Sequence, residues 1–214
     1  MKQINYLLFD LDGTLVDSVP DLTLSLNLLR AELDHPPLTE KQVASIVGDG
    51  VSVLVKRALG ENLYHPDHLA RFMQLYDEHL LDHTQCYPGI KELLNRHSAE
   101  KMAIVTNKPY QLTLKLLEGL NLIQNFKIII GGDSYAEKKP HPLPVIKALE
   151  GLGSEPEQAV MIGDHHTDLH SGRSAGTAIC FCAYGLGHAD GLTPDFRAEQ
   201  STDLLQLFPG PPLD

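Results

Sequence analysis

Short apolar runs that stop abruptly at polar residues punctuate this chain. Ile4 to Phe9 gives way to Asp10, Leu11, Asp12 and Gly13. Met102 to Val105 runs into Thr106-Asn107-Lys108, Phe126 to Ile130 into Gly131-Gly132-Asp133, and Ala159 to Ile162 into Gly163-Asp164. Runs this short, closed by turn-forming residues, predict strands buried on both faces. Thr177 to Ala183 is a fifth. The segments between them predict helices over 90–97, 109–119, 142–152 and 168–175, with a short one around 203–207 ahead of a loose Pro-Gly tail. Repeated strand-then-helix units predict an α/β fold, a doubly wound parallel sheet with a Rossmann-like core.

One stretch breaks the alternation. Residues 18–82 carry no strand signal. Apolar spacing predicts helices over 20–33, with Pro20 in the first turn, and over 51–59 and 67–81. Another opens at Thr39, which has Gln42 at capping-box spacing, and ends near Gly48-Asp49-Gly50. The expected organisation is a core of residues 1–17 and 83–214 with an inserted α-helical cap domain over 18–82. An insertion straight after the first strand falls over the carboxyl edge of the sheet, above Asp10.

The chain has 214 residues, enough for one large domain or a core with a smaller insert. Its net charge of −11 argues against non-specific nucleic-acid binding. No apolar stretch approaches the ~20 residues of a membrane span, and the N-terminal apolar run, broken by Asp10, makes a poor signal peptide. The three cysteines, Cys86, Cys180 and Cys182, form no CxxC pair and suit a reducing compartment, so a cytoplasmic monomer or homodimer is expected.

In a parallel sheet all the carboxyl ends lie on one edge, so residues far apart in sequence converge there. Asp10 and Asp12 would repel each other unless a hard cation offset their charge, and oxygen ligands suit Mg²⁺. A pair of loop aspartates capping the next helix is the other reading of DxD. Carboxylates from two strands would hold the ion. Lys139, the ion and donors at Thr106 and Asn107 would neutralise a phosphoryl group. One carboxylate would then be free to attack phosphorus and another to act as general acid and base. Positioning and charge stabilisation are what phosphoryl transfer chiefly requires.

The same residues resemble the motifs of the haloacid dehalogenase superfamily of phosphatases: FDLDGTLVDS the first, VTNK the second, KKPHP the third and GDHHTD the fourth. The resemblance implies Asp10 as nucleophile, Asp12 as general acid/base, and Thr106 and Lys139 on the phosphoryl group. It implies Mg²⁺ held by Asp10, the Asp12 main-chain carbonyl and Asp164, with Asp168 supporting the metal site. It also implies a phosphate rather than a halide substrate, because dehalogenases of the superfamily lack an acid at the Asp12 position. The stretches GDGVSVLVKRAL, CYPGIKELL and IIIGGDSYAEKKPHPLP resemble phosphoglycolate phosphatases within it, implying 2-phosphoglycolate as the small-molecule phosphate ester. Leu143 departs from that pattern, where an acid is frequent, and so do His165 and His166, where small residues are. A sugar-phosphate phosphatase, a phosphomutase and a non-catalytic phospho-ligand-binding or regulatory protein are the alternatives.

Substrate selection is expected from the inserted helices. The Gly48-Asp49-Gly50 loop could reach down to the site, and Arg57 could meet a substrate carboxylate. His166 and His170 stand four residues apart, but no HExxH pattern accompanies them, which disfavours catalytic zinc.

Overall fold

The computed structural model describes residues 4–210. The expected Pro-Gly tail therefore lies partly outside the described residues. Six strands, β1 (Tyr6–Phe9), β4 (Met102–Val105), β5 (Ile128–Ile130), β6 (Ala159–Gly163), β7 (Ala178–Cys182) and β8 (Phe196–Ala198), form one sheet in the order β5-β4-β1-β6-β7-β8. Every pairing in it is parallel. The first strand thus lies in the middle, flanked by β4 and β6 with β5 one strand further out, and these three carry the other predicted polar ends.

Side chains alternate across this sheet as a period of two requires. Leu7, Phe9, Ile104, Ile162, Cys180 and Cys182 share one core with α5 (Ile90–Asn95), α6 (Tyr110–Gly119) and α9 (Leu204–Leu207). Leu8, Ala103, Val105, Met161, Ile179 and Phe181 share the other with α7 (Leu143–Leu152) and α8 (His166–Ser174). Both faces are covered, which is why these strands are apolar throughout rather than alternating.

The inserted stretch is helical as expected: α1 (Val19–Glu32), α2 (Glu40–Ala44), α3 (Val51–Leu59) and α4 (Pro66–Glu78). Thr39 and Gln42 form the predicted capping box. Helix α2 ends at Ala44, earlier than expected, and residues 45–50 form an irregular loop containing Gly48 (φ 119°) and Gly50 (φ 95°), a left-handed backbone that suits glycine.

Two features were not predicted. The block is entered and left through a two-stranded antiparallel ribbon of β2 (Val16–Asp17) and β3 (Gln85–Cys86). Strands of two residues carry no periodicity to detect. The edge strand β8 is three residues long and contains an exposed Arg197, so it too lacks an apolar run. The ends of the block are fastened by Asp21, fully buried in the first turn of α1. Its carboxylate accepts hydrogen bonds from the main-chain N–H of His83 (2.9 Å) and Thr84 (2.8 Å) and from the Thr84 hydroxyl (2.7 Å).

Candidate active site

Strand β1 ends at Phe9, and the Asp10 N–H still donates to Ile162 O (2.9 Å), which fixes the first carboxylate at the sheet edge. The chain then turns tightly. Leu11 O accepts from the N–H groups of Thr14, Leu15 and Val16, and Gly13 takes a φ of 84°. A Cβ at Gly13 would stand 2.5 Å from Asp164 Oδ2, so glycine lets the turn close against the acid of the neighbouring strand.

Asp10, Asp164 and Asp168 are all buried, and one oxygen of each lies within 4.8 Å of the others. The buried Lys139 Nζ sits among them, 2.9 Å from Asp10 Oδ1, 2.6 Å from Asp168 Oδ1 and 2.5 Å from Val105 O. Asp168 Oδ2 accepts from the His165 N–H (3.0 Å), so both Asp168 oxygens are engaged. Asp164 Oδ1 accepts from the Thr14 hydroxyl (3.0 Å), and its Oδ2 from the N–H groups of Leu186 (2.8 Å) and Gly187 (3.1 Å). Asp10 Oδ1, despite its closeness to Lys139, has no aligned hydrogen-bond donor among the described residues.

Three carboxylates around one ammonium leave buried negative charge uncompensated. Burial, followed by repulsion from Asp168, pushes the Asp10 carboxyl up to about 6, with Lys139 pulling the other way. Burial, then Asp168 and Asp10, push Asp164 up to about 8. Burial alone would lower Lys139, but Asp10 and Asp168 outweigh it and hold its ammonium above the ordinary value. A hard divalent cation beside Asp10 and Asp164 would reverse the carboxyl shifts, and an all-oxygen donor set with one bare carboxylate oxygen fits such an ion.

Asp12 pairs with a different lysine. Its carboxylate lies 3.1 Å from Lys108 Nζ, which also donates to the Tyr76 hydroxyl. Lys108 and Tyr76 are both buried. Burial would lower Lys108, but Asp12 and Tyr76 overcome it and raise it, while burial pushes the Tyr76 phenol up to about 12. Thr106 is buried at the end of β4, where its hydroxyl accepts from the Lys108 N–H (3.2 Å).

A cavity of about 510 Å³, counting its open mouth, opens onto Asp10 and Asp12, with Lys139, Asp164 and Asp168 behind its wall. Asp10, Asp12, Thr106, Asn107 and Lys108 line the sheet side, and Leu22, Val47, Gly48, Gly50, Val51, Leu54 and Tyr76 the helical side. The helical block therefore lies over the carboxyl edge, as its place in the chain predicted. Asn107 Nδ2 donates to both Gly48 O (3.0 Å) and Lys139 O (2.9 Å), tying the block's loop to the segment that carries Lys139.

Two expected substrate contacts are placed elsewhere. Arg57 pairs with Asp49 (2.6 Å), its side chain is 44% exposed, and neither residue lines the cavity. Asp49 instead contributes its main-chain oxygen, which accepts from Lys138 Nζ (2.5 Å). Conversely, Lys108 and Tyr76 were not singled out from sequence. Lys108 follows Thr106-Asn107 directly, but its partners come from 96 and 32 residues away. Tyr76 reads as one more apolar-face position of its helix. Lys108 closes the VTNK motif, which marks its strand end but not its partners, and no signal distinguished Tyr76.

Residues 7–182 match the family model of haloacid dehalogenase-like hydrolases. The chain belongs to that family. Within it the chain is a phosphatase. It is 38% identical to a phosphoglycolate phosphatase of Chromobacterium violaceum, with 97% of this chain and 98% of the relative covered. It is 37% identical to a phosphoglycolate phosphatase of Aquifex aeolicus, with 94% and 95% covered. Its fold matches a crystal structure from Haemophilus somnus described as a predicted phosphoglycolate phosphatase, with a TM-score of 0.86, 31% identity, and 97% of this chain and 99% of that one covered.

Proposed function

We propose that this phosphatase is a cytoplasmic, Mg²⁺-dependent phosphomonoesterase that hydrolyses 2-phosphoglycolate through a phospho-aspartate on Asp10. The observation that carries the reading is the pairing of Asp10 and Asp12 on the wall of one cavity, the first beside Lys139 and the second beside Lys108. An Asp10 oxygen attacks phosphorus while Lys139 and the Thr106 hydroxyl neutralise the phosphoryl oxygens. Asp12, whose side chain lies apart from the acid cluster, protonates the departing glycolate oxygen. It then takes a proton from the water that attacks the phospho-aspartate, returning Asp10 to its starting state. Asp10, Asp164 and the Asp12 main-chain carbonyl would hold Mg²⁺, which supplies further positive charge to the transferring group. Asp168 holds Lys139 in place and caps α8 through the His165 N–H.

The substrate follows from the cavity's charges together with the names of the relatives. Lys108 is a buried cation outside the acid cluster, under the apolar wall of Leu22, Val51 and Leu54. It would receive the glycolate carboxylate while staying next to Asp12. The helical block acts as the cap domain that closes over this small anion.

The test is steady-state kinetics on a panel of small phosphate esters, including sugar phosphates, with Mg²⁺ and with chelator. The expected result is highest kcat/KM for 2-phosphoglycolate and loss of turnover on chelation. A sugar phosphate preferred over 2-phosphoglycolate would overturn the substrate, and full turnover in chelator would overturn the metal.

A further inference from the structure

The proposed hydrolysis has no use for a group of histidines at the other side of Asp164. His165 and His166 open α8, and His188 follows the Gly185-Leu186-Gly187 loop that wraps Asp164. The ring centroids lie 4.1 Å apart for His165 and His166, 5.1 Å for His166 and His188 and 5.6 Å for His165 and His188. One ring nitrogen from each residue lies within 4.8 Å of the other two.

Nitrogens bound to one tetrahedral ion at about 2.1 Å stand about 3.4 Å apart, so little more than 1 Å of closure seats an ion among them. His165 is already oriented: its Nδ1 meets the Thr167 hydroxyl at 3.2 Å, which leaves Nε2 as the ligating atom and supplies the second contact a metal-bound imidazole ordinarily has. His166 Nδ1 is buried with no hydrogen-bond partner among the described residues, a costly state for a polar atom that ligation at the ring would help to offset. Three imidazoles favour a borderline ion of the zinc type, whereas the neighbouring carboxylates favour a hard one.

We propose that His165, His166 and His188 form a second metal site, which takes one transition ion such as Zn²⁺ or Co²⁺ while the carboxylates retain Mg²⁺. The site lies on the seam between the helical block and the sheet edge. A Cβ on Gly48 would come within 2.8 Å of the His165 ring, and one on Gly187 within 2.4 Å, so the ring is wedged between the block's loop and the Asp164 loop.

The test is a Co²⁺ titration of the full chain at about pH 8, where ordinary histidines are neutral, with Mg²⁺ in large excess, followed by visible ligand-field absorption and by equilibrium dialysis. The expected result is one bound equivalent, displaced by Zn²⁺ and not by more Mg²⁺. His188→Ala and His166→Ala should each weaken it by about tenfold or more. His170→Ala should leave it unchanged, and so should Asp10→Asn, which removes the proposed nucleophile. His188 is a surface residue, so its replacement spares the fold. Co²⁺ lost in proportion to added Mg²⁺, or bound equally well by the His188 and His166 variants, would overturn the second site without touching the hydrolytic reading.

Discussion

At the scale of residues, the site divides two neighbouring aspartates between two lysines. Asp10 stands with Lys139 in the acid cluster, and Asp12 stands with Lys108 and Tyr76. On the proposed reading, this division separates a nucleophile from a proton carrier. Asp10→Asn should lower kcat by about 10⁴-fold or more, as loss of a nucleophile does elsewhere. Lys108→Met should lower kcat/KM for 2-phosphoglycolate by about 10- to 100-fold, the worth of a charged hydrogen bond, chiefly through KM. An ester without a carboxylate should suffer less, and an equal loss on both would assign Lys108 to the support of Asp12 alone. The raised carboxyls add a pH dependence. In metal-free protein Asp10 and Asp164 keep protons that the unfolded chain would release above about pH 4. The folded state therefore binds more protons between about pH 4 and pH 8, and stability falls as pH rises through that window. Thermal melts of chelated protein should show this decline, and added Mg²⁺ should raise Tm by about 4 °C or more at pH 8 and by much less at pH 5. A larger Mg²⁺ effect at pH 5 would contradict it.

The groups that sequence exposed at this scale are those at strand ends: Asp10, Asp12, Thr106 and Asp164, with Lys139 in the loop after β5. All but Lys139 have a local marker, an apolar run followed by a turn. Lys108 shares the marker of its strand end, but its pairing with Tyr76 arises only when α4 is laid across the end of β4. Arg57 shows the converse. A cation on a helix of the inserted block looked available for substrate, but Asp49, eight positions earlier, holds it at the surface.

At the scale of elements, segments with a continuous apolar run or a helical period were legible and those with neither were not. The strand at 102–105 and the helix at 51–59 fall where the apolar pattern places them. The ribbon of β2 and β3 escaped because two residues cannot display a period, yet it forms the neck of the inserted block. Asp21 is the companion of that neck. A buried carboxylate that accepts from two main-chain N–H groups and a hydroxyl cannot be removed without leaving those donors unpaired. Asp21→Ala should therefore destabilise the protein by about 2–4 kcal/mol in urea unfolding, and Asp21→Asn by less. A change within experimental error would show that the neck does not depend on this clamp.

At the scale of the whole molecule, the order of strands accounts for the site. With β1 between β4 and β6, polar residues separated by up to 154 positions share one edge, and a block inserted straight after β1 can only return across that edge. This much follows from connectivity. The seam does not: Asn107 bridging Gly48 to Lys139, and His165 wedged against Gly48, depend on the angle at which the block is set down. Asparagine-to-alanine replacement at 107 should loosen that seam, raising KM and increasing hydrogen exchange in residues 45–50 while sparing the exchange of β1. Unchanged exchange in 45–50 would show that Asn107 does not hold the seam.

The central claim is that scattered acids and a lysine assemble around Asp10 so that one of its oxygens is aimed at phosphorus. The most direct measurement is a crystal structure of the protein with Mg²⁺ and beryllofluoride. The expected structure has a trifluoroberyllate bonded to an Asp10 oxygen, within reach of Lys139 and the Thr106 hydroxyl, with Mg²⁺ bound by Asp10 and Asp164. An adduct on Asp12, or Mg²⁺ bound away from Asp164 while Asp10 stays free, would contradict it.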